Sequence, residues 1–147
     1  MGATVRQILQ SKGGRIWSVA PHATVFEALM LMAEKDIGAV TVVEGGKLVG
    51  IFSERDYARK VVLKGRSSKD TEVAELMTPD VFYVHPDQTI EECMALMTKR
   101  HIRHLPVLDG DDLVGIITIG DAVKAVIADQ EVMISSLENY IRGGYGH

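Results

Sequence analysis

The chain has 147 residues, room for one medium domain or two small ones sharing a core. Its 46% hydrophobic and 24% charged residues argue for a folded globular domain, and the net charge of −4 leaves no electrostatic footprint for nucleic acid. No apolar run approaches the roughly 20 residues that span a bilayer, the first residues lack the basic start and apolar core of a secretory signal, and Cys93 is the single cysteine, so no internal disulfide can form. These features predict a protein that neither spans a membrane nor binds nucleic acid, and the expected location is the cytoplasm.

From Thr4 to Gln10 the spacing of Val5, Ile8 and Leu9 predicts a short helical turn, which Ser11-Lys12-Gly13-Gly14 breaks. Ile16-Trp17-Ser18-Val19 reads as a short strand ended by Pro21. Thr24 followed by Glu27 is a capping-box pattern and opens a helix to about Asp36, with Val25, Ala28, Leu29 and Met32 on one face and Gly38 beyond its end. Ala39-Val40-Thr41-Val42-Val43 and Lys47-Leu48-Val49-Gly50-Ile51-Phe52 form a hairpin about Gly45-Gly46. Ser53 caps a helix from about Glu54 to Leu63, and Gly65-Arg66-Ser67-Ser68-Lys69 is the polar linker after it.

The second half repeats this order. Val73 to Met77 echoes the opening turn, Val81-Phe82-Tyr83-Val84 the first strand, Thr89 and Glu92 the capping box, and Ile90, Cys93, Met94 and Met97 the apolar face. Leu105-Pro106-Val107-Leu108 and Leu113-Val114-Gly115-Ile116-Ile117 repeat the hairpin. Aligned without a gap, residues 19–61 match residues 84–126 at 15 of 43 positions. The chain is therefore a duplicated strand–helix–strand–strand–helix unit, with boundaries at residues 1–69 and 70–147. A unit of this size buries little surface alone, so the predicted fold is α+β, two pseudo-symmetric repeats packed sheet to sheet about a pseudo-twofold axis. The last helix, from about Ile119 to Ile141, outruns its counterpart. Its Ile127, Ile134, Leu137 and Ile141 fall at heptad-like spacing, either a seam for a partner helix or a cap on the chain's own core. The tail from Gly143 to His147 has a flexible composition.

Each repeat ends in a hydroxyl residue with an aspartate three positions on, Ser53 with Asp56 and Thr118 with Asp121. A strand running into a helix at that point presents free N–H groups, and the carboxylate could accept from both hydroxyls of a ribose, as an acidic residue does in dinucleotide-binding folds. The same pattern is also an imperfect capping box, with the aspartate favoured by the helix N-terminus. Metal binding through His101, His104 and Asp109, Asp111 and Asp112 is disfavoured, because a strand separates the histidines from the acids. Cys93 lies on an apolar helix face and reads as a buried hydrophobe. No Walker-type or dinucleotide fingerprint is present, and no nucleophile, base and oxyanion donor assemble in sequence, so no enzyme is expected.

This tandem unit, each copy ending Gly-apolar-apolar-Ser/Thr-x-x-Asp, resembles a pair of CBS domains, the Bateman module, and the resemblance runs from Val5 to about Val126. It implies a stand-alone, non-catalytic regulatory module that binds an adenosine nucleotide such as AMP, ATP or NAD in the cleft between the repeats, forms a homodimer and signals to a protein partner not identified by the sequence. The other implied role is a dimeric adaptor whose cleft is structural or constitutively occupied. By the family's pattern, one site comprises Ile51, Ser53, Arg55 and Asp56 with Asp80, Val81 and Phe82 around the base and His101, Arg103 and His104 near phosphate. The other comprises Ile116, Thr118 and Asp121 with Ile16, Trp17, Gly38 and Ala39. Asp36, Gly38 and Ala39 stand where the first site has His101, Arg103 and His104, so the second lacks that phosphate grip. Arg55, Arg59, Lys60, Lys64, Arg66 and Lys69 form either a solvated helix face or a grip for outer phosphates, and Trp17 is either a cleft wall or a stacking platform.

Overall fold

The computed structural model describes residues 3–144. Tyr145, Gly146 and His147, the end of the tail read as flexible, lie outside the described residues. The first repeat consists of α1 (Val5–Lys12), β1 (Ser18–Val19), α2 (Val25–Lys35), β2 (Ala39–Glu44), β3 (Lys47–Ser53) and α3 (Glu54–Asp56), which continues as a π-helical segment over Tyr57–Val62. The second contains α4 (Val73–Leu76), α5 (Ile90–Arg100), β4 (His104–Asp109), β5 (Asp112–Thr118) and α6 (Ile119–Gly144). The mixed α and β architecture with two repeats is the one the duplication predicts. β1 pairs parallel to β2 and β2 antiparallel to β3, while β4 and β5 form a second antiparallel sheet in the same register as β2 and β3. The sheets meet where β3 contacts β5.

The capping hydroxyls act as their spacing predicts. Thr24 and Thr89 each accept from the backbone N–H three residues on, at 3.1 and 3.2 Å. At Thr89 the box is complete, since its own N–H reaches Glu92. Thr4 and Gln7 form a further complete box at the start of α1.

Packing between the repeats differs from two faces simply pressed together. There are two buried clusters, and each borrows an element from the other half of the sequence. Val5 and Ile8 of α1 lie in the cluster of α5, β4 and β5, whereas Val73 and Leu76 of α4 lie in the cluster of α2, β2 and β3. Backbone bonds fix the exchange: Val5 N–H donates to Gln88 O at 2.9 Å, and Val73 N–H donates to Ala23 O at 2.8 Å. Glycine permits the close approach at the crossing. A Cβ on Gly115 would lie 2.5 Å from a Leu9 methyl, and one on Gly50 would lie 2.5 Å from Met77 Sδ.

Three predicted elements are corrected. Val81-Phe82-Tyr83 is not a strand; only Val84 makes an isolated bridge, to Val107. In the first repeat Thr41 N–H donates to Trp17 O at 3.3 Å. The residue in the place of Thr41 is Pro106, which has no N–H to give Phe82, so that ladder bond cannot form. The helix read from Glu54 to Leu63 is likewise one α turn followed by a wider π segment, closed by Leu63 N–H on Ala58 O at 3.2 Å. The last helix is longer than expected; its first turns pack on the core through Ala122, Ala125 and Val126, but the reading of its heptad-like stripe as a cap on that core is excluded. Ile127, Ile134, Leu137 and Ile141 are 48–56% exposed, on a helix of 26 residues.

Candidate functional site

The crossing of the repeats leaves two cavities, one at each strand-to-helix corner. The larger, about 880 Å³, is open and falls within the range of small-molecule sites. The ten residues expected at the first site, from Ile51, Ser53, Arg55 and Asp56 through Asp80, Val81 and Phe82 to His101, Arg103 and His104, all line it. Arg59 and Arg100 line it too, so four arginines face Glu54, Asp56 and Asp80 across one space. Arg55 reaches over to donate to His101 O at 3.1 Å, and the Arg100 guanidinium lies 4.6 Å from the centre of the Phe82 ring.

Local chemistry sets the corner. Ser53 donates to Asp56 Oδ2 through its N–H at 2.9 Å and its hydroxyl at 3.0 Å, while Asp56 N–H returns a bond to Ser53 Oγ at 3.2 Å. The pattern is a complete capping box made with aspartate. Lys60, one turn on, lies 3.2 Å from Asp56 Oδ1. A carboxylate has about four acceptor positions, so the cap and this ion pair leave one for a ligand hydroxyl, and turning the Ser53 hydroxyl away would free a second. The capping and ligand-binding readings of the motif are therefore compatible. Of the remaining basic cluster, Arg66 pairs with Glu75 at 2.6 Å and Lys69 lies over Phe26 at 5.1 Å, away from the cavity.

The smaller cavity, about 280 Å³, is lined by Ile16, Trp17, Gly38, Ala39, Ile116 and Thr118 of the expected second site. Asp121 is the exception and does not line it. It closes its own capping contacts, taking Thr118 N–H at 2.9 Å and returning its N–H to Thr118 Oγ1 at 3.1 Å. Its Oδ2 also takes a 2.7 Å contact from Lys12. Burial pushes the Asp121 carboxyl up, but the bonds from Lys12 and Thr118 outweigh it and hold the group below its ordinary value. The segment from Asp36 to Ala39 supplies no cation here, as its sequence predicts; Lys12 and Arg15 bring two from α1 and the loop after it. Sequence reasoning missed both, and for Lys12 no local signal exists, because its partner is 109 residues away. Lys35 lies 4.3 Å from the centre of the Trp17 ring, so that ring wall already carries a cation.

Gly38, His104 and Thr118 line both cavities and form the partition between them. A Cβ on Gly38 would lie 3.2 Å from Glu54 Oε1 and 3.3 Å from His104 Nε2, so the partition closes on a glycine. Burial, with the charges of Arg103 and Lys12, holds the His104 imidazole below its ordinary pKa against the pull of Asp121. Near pH 7 His104 is therefore neutral and offers one donor and one acceptor rather than a charge. His101 and Asp36, each ending its helix in a left-handed conformation at φ 55° and 53°, line opposite cavities. Cys93 is buried, and desolvation pushes its thiol up to about 11. Among the described residues no group of three or more His, Cys, Asp or Glu is placed to hold a metal ion, and no helix is long and apolar enough to cross a membrane.

The comparisons with known proteins agree with this architecture. The CBS domain model matches twice, over residues 5–63 and 73–128. The mitochondrial CBS domain-containing protein CBSX3 of Arabidopsis thaliana is 37% identical over 97% of this chain and 73% of its own length. A solved protein with CBS domains from Burkholderia ambifaria MC40-6 superposes with a TM-score of 0.84 at 57% identity, covering 87% of this chain and 96% of that one. The CBS domain pair of protein MJ0100, solved with 5′-methylthioadenosine and S-adenosyl-L-methionine, gives a TM-score of 0.78 at 25% identity over 88% of this chain and 99% of that one.

The His104 environment makes a pH prediction. A folded pKa below the unfolded one contributes stability that is complete above the unfolded value and lost as pH falls through the folded one. An NMR titration of the His104 ring is expected to give a midpoint below that of a free histidine, moving upward in Lys12→Met; a midpoint at or above the free value would contradict the burial described.

Proposed function

The chain belongs to the CBS-domain family, and from that premise we propose that it is a non-catalytic regulatory module that binds one adenosine compound, AMP, ATP or NAD, between its two repeats and passes the bound state to a protein partner. The observation that carries this reading is the larger cavity, where a capped carboxylate, an apolar wall and four arginines meet across the repeat boundary. Asp56 would accept from the ribose hydroxyls, with Ser53 beside it. Ile51, Val81 and Phe82 offer apolar surface for the base, and Phe82 has no strand ladder to hold it in the sheet. Arg55 and Arg103 suit phosphate through their bidentate forks, with His101 beside them. The neutral His104 would serve as a hydrogen-bonding group there, not as a cation.

A route for the signal starts at the same wall. Ile119, the first residue of α6, lines the larger cavity, and its N–H is held by Arg103 O at 2.9 Å. From that point the helix runs about 39 Å and exposes an apolar stripe. A ligand touching Arg103 and Ile119 shifts the helix only by its differential affinity for the two arrangements. The stripe supports a homodimer whose seam includes Ile127, Ile134, Leu137 and Ile141.

Two measurements test this. In thermal-shift assays with AMP, ATP, NAD and S-adenosylmethionine, a true ligand at 100 times its Kd adds about 2.7 kcal/mol, a rise of roughly 5–10 °C. Asp56→Asn, which keeps the shape of the cap, should weaken that ligand about tenfold or more through the lost charge-assisted bonds; no shift with any adenosine compound would favour the adaptor role. Light scattering should give a dimer for the native chain and a monomer for Ile134→Asp/Leu137→Asp, and a monomeric native protein would remove the seam.

A further inference from the structure

Each corner aspartate carries a lysine, and the two lysines stand on opposite sides of their carboxylates. Lys60 comes from the same helix as Asp56 and also donates to Leu76 O at 3.0 Å; Asp56 lines the larger cavity and Lys60 does not. In the second corner the order is reversed. Lys12 lines the smaller cavity and Asp121 does not. Its ammonium is anchored twice, 2.7 Å from Asp121 Oδ2 and 3.0 Å from Ile116 O, and so bridges α1 to the strand and helix of the other repeat.

We propose that Lys12 is the specificity-determining residue of the second cavity: its ammonium stands between Asp121 and the open space, so the carboxylate is withheld from a ribose and each chain takes one adenosine ligand, in the first cavity. This rests on the reading of Asp56 as a ribose anchor and extends it to what the second corner refuses.

The energetics favour the internal partner. A ribose hydroxyl would compete for Asp121 against an ammonium already attached to the chain, so it gains one charge-assisted bond only by breaking another. With side-chain exposures of 31% for Lys12 and 16% for Asp121, the pair is only partly screened. The opposite corner has no equivalent. In the exchanged helices Val5 corresponds to Val73 and Leu9 to Met77, as their matching contacts with Gly115 and Gly50 show. There α4 ends at Leu76 with Met77 already extended, so no helical residue stands where Lys12 does, and the loop residue before Val81 that lines the cavity is Asp80, an acid with the wrong sign to hold Asp56.

The test is calorimetric titration of AMP, and separately of S-adenosylmethionine, into the native chain, Lys12→Ala and Lys12→Met, with thermal unfolding as a check that each variant is folded. Alanine opens space at a helix position that tolerates it, and methionine keeps the aliphatic stem, so one of the two reports even if the other is destabilised. The native chain should bind one ligand and the variants two. The added binding should survive in Lys12→Ala/Asp56→Asn and be lost in Lys12→Ala/Asp121→Asn. A native chain that binds none while Lys12→Ala binds one would uphold Lys12 and overturn the first-cavity reading. Variants that bind with the native stoichiometry would overturn the role of Lys12.

Discussion

Everything at the candidate site depends on the exchange of α1 and α4 between the repeats. Neither hydrophobic cluster closes without the opening helix of the other half: Val5 and Ile8 complete one, Val73 and Leu76 the other. The exchange is held by backbone bonds on both sides, such as Arg6 N–H to Pro86 O at 2.9 Å and Ala74 N–H to Pro21 O at 2.8 Å. These are main-chain contacts and so do not depend on side-chain identity beyond the glycines that let Leu9 and Met77 approach. Locking the halves in this way brings β3 against β5 and sets the two strand-to-helix corners beside a shared partition. The cavities are the space left where the two interlocked halves fail to fill their own boundary.

Within this symmetric frame a few residues make the corners unequal. Thr41 gives the first repeat a parallel strand, and Pro106 denies it to the second, which leaves Phe82 41% exposed at the rim of the larger cavity. Four arginines collect on one side of the partition. On the other side, Lys12 reaches in from α1 and ties up the carboxylate. The duplication supplied two equivalent positions, and substitution at single residues turned them into one open, cation-lined cavity and one small, internally satisfied one.

Much of this could be read from the residues because it is local. Capping hydroxyls, β-branched runs and the spacing from Ser53 to Asp56 act within one turn or one hairpin, and the repeat makes each pattern visible twice. The family resemblance then brought Val81 and Phe82 and the segment from His101 to His104 to the Asp56 corner, where the structure also places them. What stayed hidden depends on distance or on a missing atom. The Lys12–Asp121 pair joins residues 109 apart, and the exchange of helices is invisible to periodicity, because an apolar face does not say which core it enters. The loss of the strand at Val81 follows from one absent N–H on Pro106, and the π segment after Asp56 has no sequence signal that we can identify. The stripe on α6 was legible as a pattern, but only its exposure decides against the chain's own core.

The central claim is geometric: an adenosine ligand sits in the larger cavity with its ribose on Asp56. The most direct measurement is a crystal structure of the protein grown with AMP. The account predicts the ribose hydroxyls within hydrogen-bond distance of the Asp56 carboxylate and the phosphate among the arginines that line the cavity. AMP found in the smaller cavity alone, or in the larger one with its ribose turned away from Asp56, would contradict it.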